Sequence, residues 1–291
     1  MVPLELARLT NLMQRTSGRP DVTIGLIDGP VATQHPDLAG GRLREIHGRD
    51  GATCTQRDSA ACVHGTFVAG ILSARRQSSA PGICPDCTVL VRPIFTETPG
   101  GAERVPSATP HVLATAIIEC IDAGARVINL SVALSHPSSS GNPFLEEALN
   151  RAVQRRVLVV AAAGNQGTLA SSAITRYPWV IPVVACDLRG RPMNQSNVGS
   201  SIGKRGLMAP GDAITSLSPD GQPLTFGGTS VAVPFVTGTI ALLWSEFPAA
   251  TSEQIRFAVS QTSTWRRASV VPPLLDAEIA YQSLSTRSRH D

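Results

Sequence analysis

Lysine is nearly absent from this 291-residue chain: Lys204 is the only one, and arginine supplies the rest of the 25 basic side chains. Aromatic residues amount to 4% and charged residues to 16%, and the net charge of +3 is spread along the chain. No basic stripe studded with aromatics is present, which excludes a nucleic-acid partner. Long apolar runs are missing too. The longest, Val157 to Ala163, has the length of a strand and falls far short of the ~20 residues of a membrane span. The opening Met1-Val2-Pro3-Leu4-Glu5-Leu6-Ala7-Arg8 has no charged segment followed by an apolar core. No secretory signal is read there, so a cytoplasmic location without membrane contact is expected. Six cysteines are too few for a miniprotein held by disulfides. What is there is an apolar fraction of 42%, enough for a sizeable core and too much for a disordered chain. The length is large for one core, but α/β folds reach it as single units.

The chain reads as strand, loop, helix, repeated. Short β-branched runs at Val22–Ile27, Thr88–Ile94, Val127–Ser131, Val157–Ala162, Val180–Ala185 and Gly206–Met208 predict strands. Helical spacing predicts helices over Val63–Arg76, Thr109–Ala123, Pro143–Arg156, Val231–Glu246 and Ser252–Val259. Thr109 is an expected N-cap with Pro110 in the first turn, and Gly124 a helix stop. Strands that are apolar throughout, alternating with helices, argue for a mainly parallel central sheet covered on both faces. Functional groups then gather at the carboxyl ends of the strands. Gly40–Ala61 and Ser135–Gly141 read as surface loops, the second as a mobile one. No internal repeat or dividing linker is visible.

Three segments carry candidate chemistry, and each has an ordinary reading beside it. Asp28-Gly29-Pro30 follows the first strand, where a carboxylate faces the crevice; it is also common turn chemistry. His64-Gly65-Thr66 sits at a predicted helix start, where a histidine equally serves as a structural cap. Gly227-Gly228-Thr229-Ser230 leads into the buried helix. Its free N–H groups and positive dipole end suit an oxyanion, while Ser230 alone reads as an N-cap.

Taken together, these segments resemble the subtilisin-like serine proteases. Asp28, His64 and Ser230 stand in the subtilisin order Asp, His, Ser. Asp21–Asp28, His35-Pro36-Asp37-Leu38 and Val159-Val160-Ala161-Ala162-Ala163-Gly164-Asn165-Gln166-Gly167 agree, and the resemblance runs from about Asp21 to Ala258. It implies a three-layer α/β fold and an Asp28-His64-Ser230 triad, with Asn165 in the oxyanion hole. It implies substrate contacts at Leu130, Ser131, Val132 and Ala133, at Ala161, Ala162, Ala163 and Gly164, and at Gln166 and Thr229. Gln166 at the pocket rim predicts no strong preference for basic residues. The domain implied covers 21–284, with residues 1–20 as an extension packed on it and 285–291 as a disordered tail.

Departures from the common pattern are Gly29-Pro30 in place of Thr-Gly or Ser-Gly, Phe67 in place of a second histidine, and Ala133 in place of glycine. The Asp28-Gly29-Pro30-Val31 variant, with Leu12–Pro20 and Pro81–Cys87, resembles the protease domains of cyanobactin maturation enzymes. Those cut ribosomally made precursor peptides, so a peptide or protein substrate, in the narrower case a precursor peptide, is the implied partner. The same residues leave a non-catalytic peptide binder and a triad acyl transferase or macrocyclase as alternatives. No insertion long enough to cap the site is visible, which favours hydrolysis. No cofactor is expected. Many subtilases hold calcium in the loop after the histidine helix; here Arg75-Arg76-Gln77-Ser78-Ser79-Ala80 has no carboxylate, so no metal is expected there. Cys120 and Cys186 read as buried thiols. For Cys54, Cys62, Cys84 and Cys87, free thiols, one or two disulfides, and a four-cysteine zinc site remain open.

Overall fold

Alternate residues of the central strands feed two separate cores, which is why the strands are apolar on both sides. The structure is a computed structural model, and it describes residues 2–46, 54–97, 108–132, 142–261 and 269–287. Two short helices, α1 (Pro3–Leu6) and α2 (Thr10–Arg15), precede β1 (Thr23–Asp28), β2 (Leu43–Glu45), α3 (Ala60–Ser73) and β3 (Thr88–Pro93). Then come α4 (Pro110–Asp122), β4 (Val127–Leu130), α5 (Pro143–Gln154), β5 (Leu158–Ala162), β6 (Val180–Cys186), α6 (Ser200–Arg205) and β7 (Leu207–Pro210). The chain closes with β8 (Ile214–Leu217), β9 (Pro223–Phe226), α7 (Thr229–Glu246), α8 (Ser252–Ser260) and α9 (Ala277–Arg287).

Seven strands form one parallel sheet in the order β2-β3-β1-β4-β5-β6-β7. Ile24, Leu26, Val160 and Ala162 join the core of α3 and α7 on one face. Ile27, Ile128, Val159 and Ala161 join that of α4 and α5 on the other. This is the expected three-layer subtilisin-like α/β arrangement. Buried along almost its whole length, α7 explains why its sequence shows no polar stripe.

Local chemistry sets the helix ends. Thr109 accepts the Val112 N–H, Pro110 fills the first position of α4, and Gly124 follows at φ +90°. α3 starts earlier than its apolar spacing suggests, because the Ser59 hydroxyl caps it by accepting the Cys62 N–H at 3.2 Å. His64 therefore lies inside the helix and not at its start. The loop expected over Gly40–Ala61 contains the edge strand β2. The antiparallel β8–β9 hairpin lies on α3: Ser216 Oγ donates to the Phe67 carbonyl at 2.8 Å, and the rings of Phe67 and Phe226 stand 4.8 Å apart. Phe67, in place of the common second histidine, is an apolar anchor for this hairpin.

The first residues share the main core through Ala7, Leu9, Leu12 and Met13, and reach α9 through Arg8–Asp276 and Asn11–Glu278. α9 continues to Arg287, so residues 285–287 are helical, not part of a disordered tail. Ala133 and the loop read over Ser135–Gly141 lie outside the described residues. Among the described residues, no helix is long and apolar enough to cross a membrane.

Candidate active site

Between β1 and β4 the strand order reverses, and a crevice opens there at the carboxyl ends. Asp28 ends β1, and Ser131 follows β4 directly. Helix α3 can approach this point only because two side chains are missing. A Cβ on Gly65 would lie 2.4 Å from the carbonyl oxygens of Gly29 and Pro30, and one on Gly29 would lie 1.9 Å from the Ala61 carbonyl. The Asp-Gly-Pro variant is thus locked to the position of α3: a serine or threonine at 29 would push the helix off the sheet.

The approach brings the three candidate groups into line. His64 Nδ1 lies 2.7 Å from Asp28 Oδ1, and His64 Nε2 lies 3.0 Å from Ser230 Oγ. Asp28 is fully buried, and its Oδ1 also accepts the Gly29 N–H at 2.6 Å. Its Oδ2 has no hydrogen-bond partner among the described residues. The carboxylate fixes the imidazole proton on Nδ1, which leaves the Nε2 lone pair facing the serine hydroxyl. Burial pulls the His64 pKa down, but the charge of Asp28 and its hydrogen bond outweigh burial and hold it above the ordinary histidine value.

Ser230 is not the N-cap of α7. Gly228 is, at φ +131°, and Ser230 is the second residue of the helix. Its N–H therefore has no intrahelical acceptor. Asn165 sits beside it on the loop after β5. The Thr229 N–H and hydroxyl both donate to Asn165 Oδ1 at 3.0 Å. An N–H can only donate, so the amide oxygen must face Thr229, and the Nδ2 donor turns outward. Neither the Ser230 N–H nor Asn165 Nδ2 is used in these bonds.

Three residues not singled out in the sequence, Pro234, Asn129 and Thr237, hold this arrangement. Pro234 has no N–H, so the Ser230 carbonyl lacks its usual helical donor four residues on. The Ser131 hydroxyl supplies the replacement at 2.8 Å. Ser131 Oγ in turn accepts from Asn129 Nδ2 at 2.8 Å, and Asn129 Oδ1 accepts from Thr237 Oγ1 at 2.9 Å. Asn129 and Thr237 are both fully buried. The available signal was an asparagine inside an apolar strand, a costly choice unless its amide is bonded.

The expected substrate-contact residues divide. Leu130 and Ala161 point into the α4–α5 core, and Val132, Ala162 and Ala163 are buried, so these offer backbone rather than side chains. Gly164 adopts φ +103° and donates its N–H to Thr229 Oγ1 at 3.2 Å. Thr229 is buried and acts as a fastener for this loop. Gln166 is exposed, with its carbonyl tied to Asn197 Nδ2.

The loop after α3 does not fit calcium. Asp37 spends one carboxylate oxygen on Arg75 Nε at 2.6 Å and the other on Ser78 Oγ at 2.7 Å. One Arg76 nitrogen donates to the carbonyls of Thr16, at 3.1 Å, and Ile83, at 2.8 Å. The loop supplies no carboxylate of its own, and its two arginines put positive charge where a hard cation would sit. Arg76→Ala is expected to cost about 1–3 kcal/mol, since two carbonyls lose a charged donor. Differential scanning calorimetry should show a lowered Tm that added calcium does not restore.

Cys54 and Cys62 form a disulfide, which overturns both the all-free-thiol and the four-cysteine zinc readings. Cys84, Cys87, Cys120 and Cys186 are free and buried, and burial pushes the Cys120 and Cys186 thiols up to about 12.

A buried carboxylate, an imidazole and a serine hydroxyl in relay are the arrangement of a triad serine hydrolase. The sequence model of the subtilase family, Peptidase S8, matches residues 19–282. Subtilisin DY of Bacillus licheniformis is 29% identical over 249 residues, 84% of each chain. Several other curated relatives are longer, and the chain spans only 61% or 62% of their length. Among solved structures, the protease domain of PatA, as a serine-to-alanine variant, superposes with a TM-score of 0.84 at 31% identity, covering 93% of this chain and 97% of that one. The prenylagaramide maturation protease PagA superposes with a TM-score of 0.83 at 28% identity, covering 95% and 98%. The chain belongs to the subtilase family and is a subtilisin-like serine endopeptidase.

Proposed function

We propose that Ser230 is the nucleophile of an endopeptidase that cuts a ribosomally made precursor peptide. The observation that carries the chemistry is the relay of 2.7 Å from His64 to Asp28 and 3.0 Å from His64 to Ser230. Ser230 Oγ attacks the scissile carbonyl carbon while His64 Nε2 takes its proton. Asp28 holds the imidazole tautomer and stabilises the imidazolium without being protonated. Negative charge collects on the carbonyl oxygen, between the Ser230 N–H and Asn165 Nδ2. The imidazolium protonates the leaving amine, and the ester left on Ser230 is hydrolysed by a water that His64 deprotonates. The backbone at Leu130–Val132, at the carboxyl end of β4, would pair with the substrate as an added strand.

Asn165→Ala is expected to lower kcat by about 10²–10³ with little change in KM, because its amide is needed where charge develops. Steady-state kinetics on a chromogenic peptide checks this.

The precursor-peptide part of the reading is supported by the likeness to PatA and PagA, the second of them described as a maturation protease. Cytoplasmic action belongs to the same reading. The four free cysteines fit a reducing compartment, and the single disulfide is the contrary observation. Digests of casein and of a peptide library, read by mass, test the specificity. Cleavage confined to one short motif, with one water added per cut, is the expected result. Rapid cutting of casein at many unrelated sites would remove the maturation role, and cyclic products without added water would replace hydrolysis by acyl transfer.

A further inference from the structure

We propose that Cys54, Cys62 and Glu97 form a second site, which binds a soft divalent cation of the zinc class once the 54–62 disulfide is reduced. The two sulfurs and a Glu97 carboxylate oxygen all lie within 4.8 Å of one another. In a tetrahedral zinc site, with Zn–S near 2.3 Å and Zn–O near 2.0–2.2 Å, such atoms stand roughly 3.5–3.8 Å apart. The Cα atoms of the two cysteines are 5.5 Å apart, so parted sulfurs can take this spacing without moving the backbone far.

What keeps the trio together after reduction is not the disulfide. Glu97 accepts the Thr55 N–H at 3.0 Å and the Gln56 N–H at 2.9 Å, and takes the hydroxyls of Thr55, at 2.5 Å, and Ser59, at 3.4 Å. Ser59 caps α3, so the same carboxylate fastens the loop of Cys54 to the helix of Cys62. Cys62 is buried, while Cys54 and Glu97 are half-buried, which leaves a water-accessible side for a fourth ligand. Thiolates with one carboxylate suit a borderline-soft ion and not calcium or magnesium.

The site abuts the triad helix. Cys62 stands two residues before His64, and its Sγ lies 3.9 Å from Thr66 Oγ1, which accepts the Ala32 N–H at 2.9 Å. The electron balance is simple. A dithiol gives two electrons and two protons to the disulfide and becomes a disulfide itself; a phosphine gives the two electrons, takes its oxygen from water, whose protons go to the sulfurs, and becomes a phosphine oxide. The two thiols formed then release their protons to solvent as the cation binds.

The test uses the full chain, reduced with a phosphine under anaerobic conditions and titrated with Co²⁺. A thiolate-to-cobalt charge-transfer band saturating at one equivalent, and displaced by Zn²⁺, is expected. The oxidised protein should give none. Cys54→Ser and Cys62→Ser should lose the band, and Glu97→Gln should weaken binding by about tenfold or more. A reduced wild type that shows no band overturns the proposal. So does a band that survives in both serine variants, which would place the metal at Cys84 and Cys87, or an unchanged affinity in Glu97→Gln. Comparing oxidised and reduced wild type keeps the test decisive even if a variant fails to fold.

Discussion

Ser230→Ala is expected to remove peptide hydrolysis by a factor on the order of 10⁶ in kcat, the size of loss subtilisin itself shows when its serine is removed. The fold should not notice. The side chain's hydrogen-bond partner is His64 Nε2, and the bond that positions this turn is made by the Ser230 carbonyl with Ser131, which alanine retains. Alanine is also the better helix former at the second residue of α7. Stability should stay within about 0.5 kcal/mol of the parent. A fluorophosphonate probe gives the direct reading. The parent should gain one adduct mass on the peptide containing Ser230, and the folded variant should gain none. A folded parent that stays unlabelled would show that the relay does not activate Ser230, and would favour a subtilase that binds peptides without cutting them. The small rate left in the variant comes from substrate binding and the two oxyanion donors, worth roughly 10³–10⁴ over water.

Much of this site was legible because its parts are short motifs fixed by backbone needs. Strands β1, β3, β4, β5 and β6 announce themselves as apolar runs, since both faces of the sheet are covered. Thr109-Pro110 and Gly124 marked α4 to the residue. The elements that escaped are the ones without periodicity. β2 has only three residues, and β8 and β9 have four each, too short for a periodic pattern to stand out in the sequence. The start of α3 depended on one serine hydroxyl three residues from Cys62, which hydrophobic spacing does not see. Inside the site, sequence order named the three groups that the fold brings together but not their supports. An asparagine in an apolar strand signals a bonded amide, but not that a hydrogen-bonded chain through Ser131 and Thr237 restrains the turn of Ser230. Pro234 falls inside the predicted helix Val231–Glu246, and only the fold shows that its missing N–H frees the Ser230 carbonyl for Ser131. The disulfide had the same status: Cys54 and Cys62 were a candidate pair, and the choice among partners needed the loop held by Glu97.

The second large effect concerns Asp28, where charge and tautomer can be separated. Asp28→Ala is expected to cost on the order of 10⁴ in kcat, since the Gly29 N–H and His64 Nδ1 both lose their acceptor. Asp28→Asn should cost less. One oxygen, Oδ1, accepts both of those N–H groups, while Oδ2 is buried without a partner. An amide placed with its oxygen at Oδ1 keeps both bonds, so the imidazole proton stays on Nδ1 and Nε2 stays a base. The flipped amide would set its N–H₂ against the Gly29 N–H, which can only donate, and is disfavoured although His64 Nδ1 could then accept in the other tautomer. What the amide cannot keep is the negative charge. The pH profile shows this loss. His64 must be neutral to take the serine proton, and burial lowers its pKa while Asp28 raises it by more. In the parent, kcat/KM should therefore fall as pH drops through a value above the ordinary imidazole one near 6.5. In Asp28→Asn, burial acts unopposed, and the acid limb should move below that ordinary value while the plateau drops. Stopped-assay kinetics from acid to mildly alkaline pH on one peptide would settle the matter. If the amide variant loses as much as the alanine variant, Oδ1 does not hold the tautomer alone. If its acid limb stays in place, the charge of Asp28 is not what raises His64.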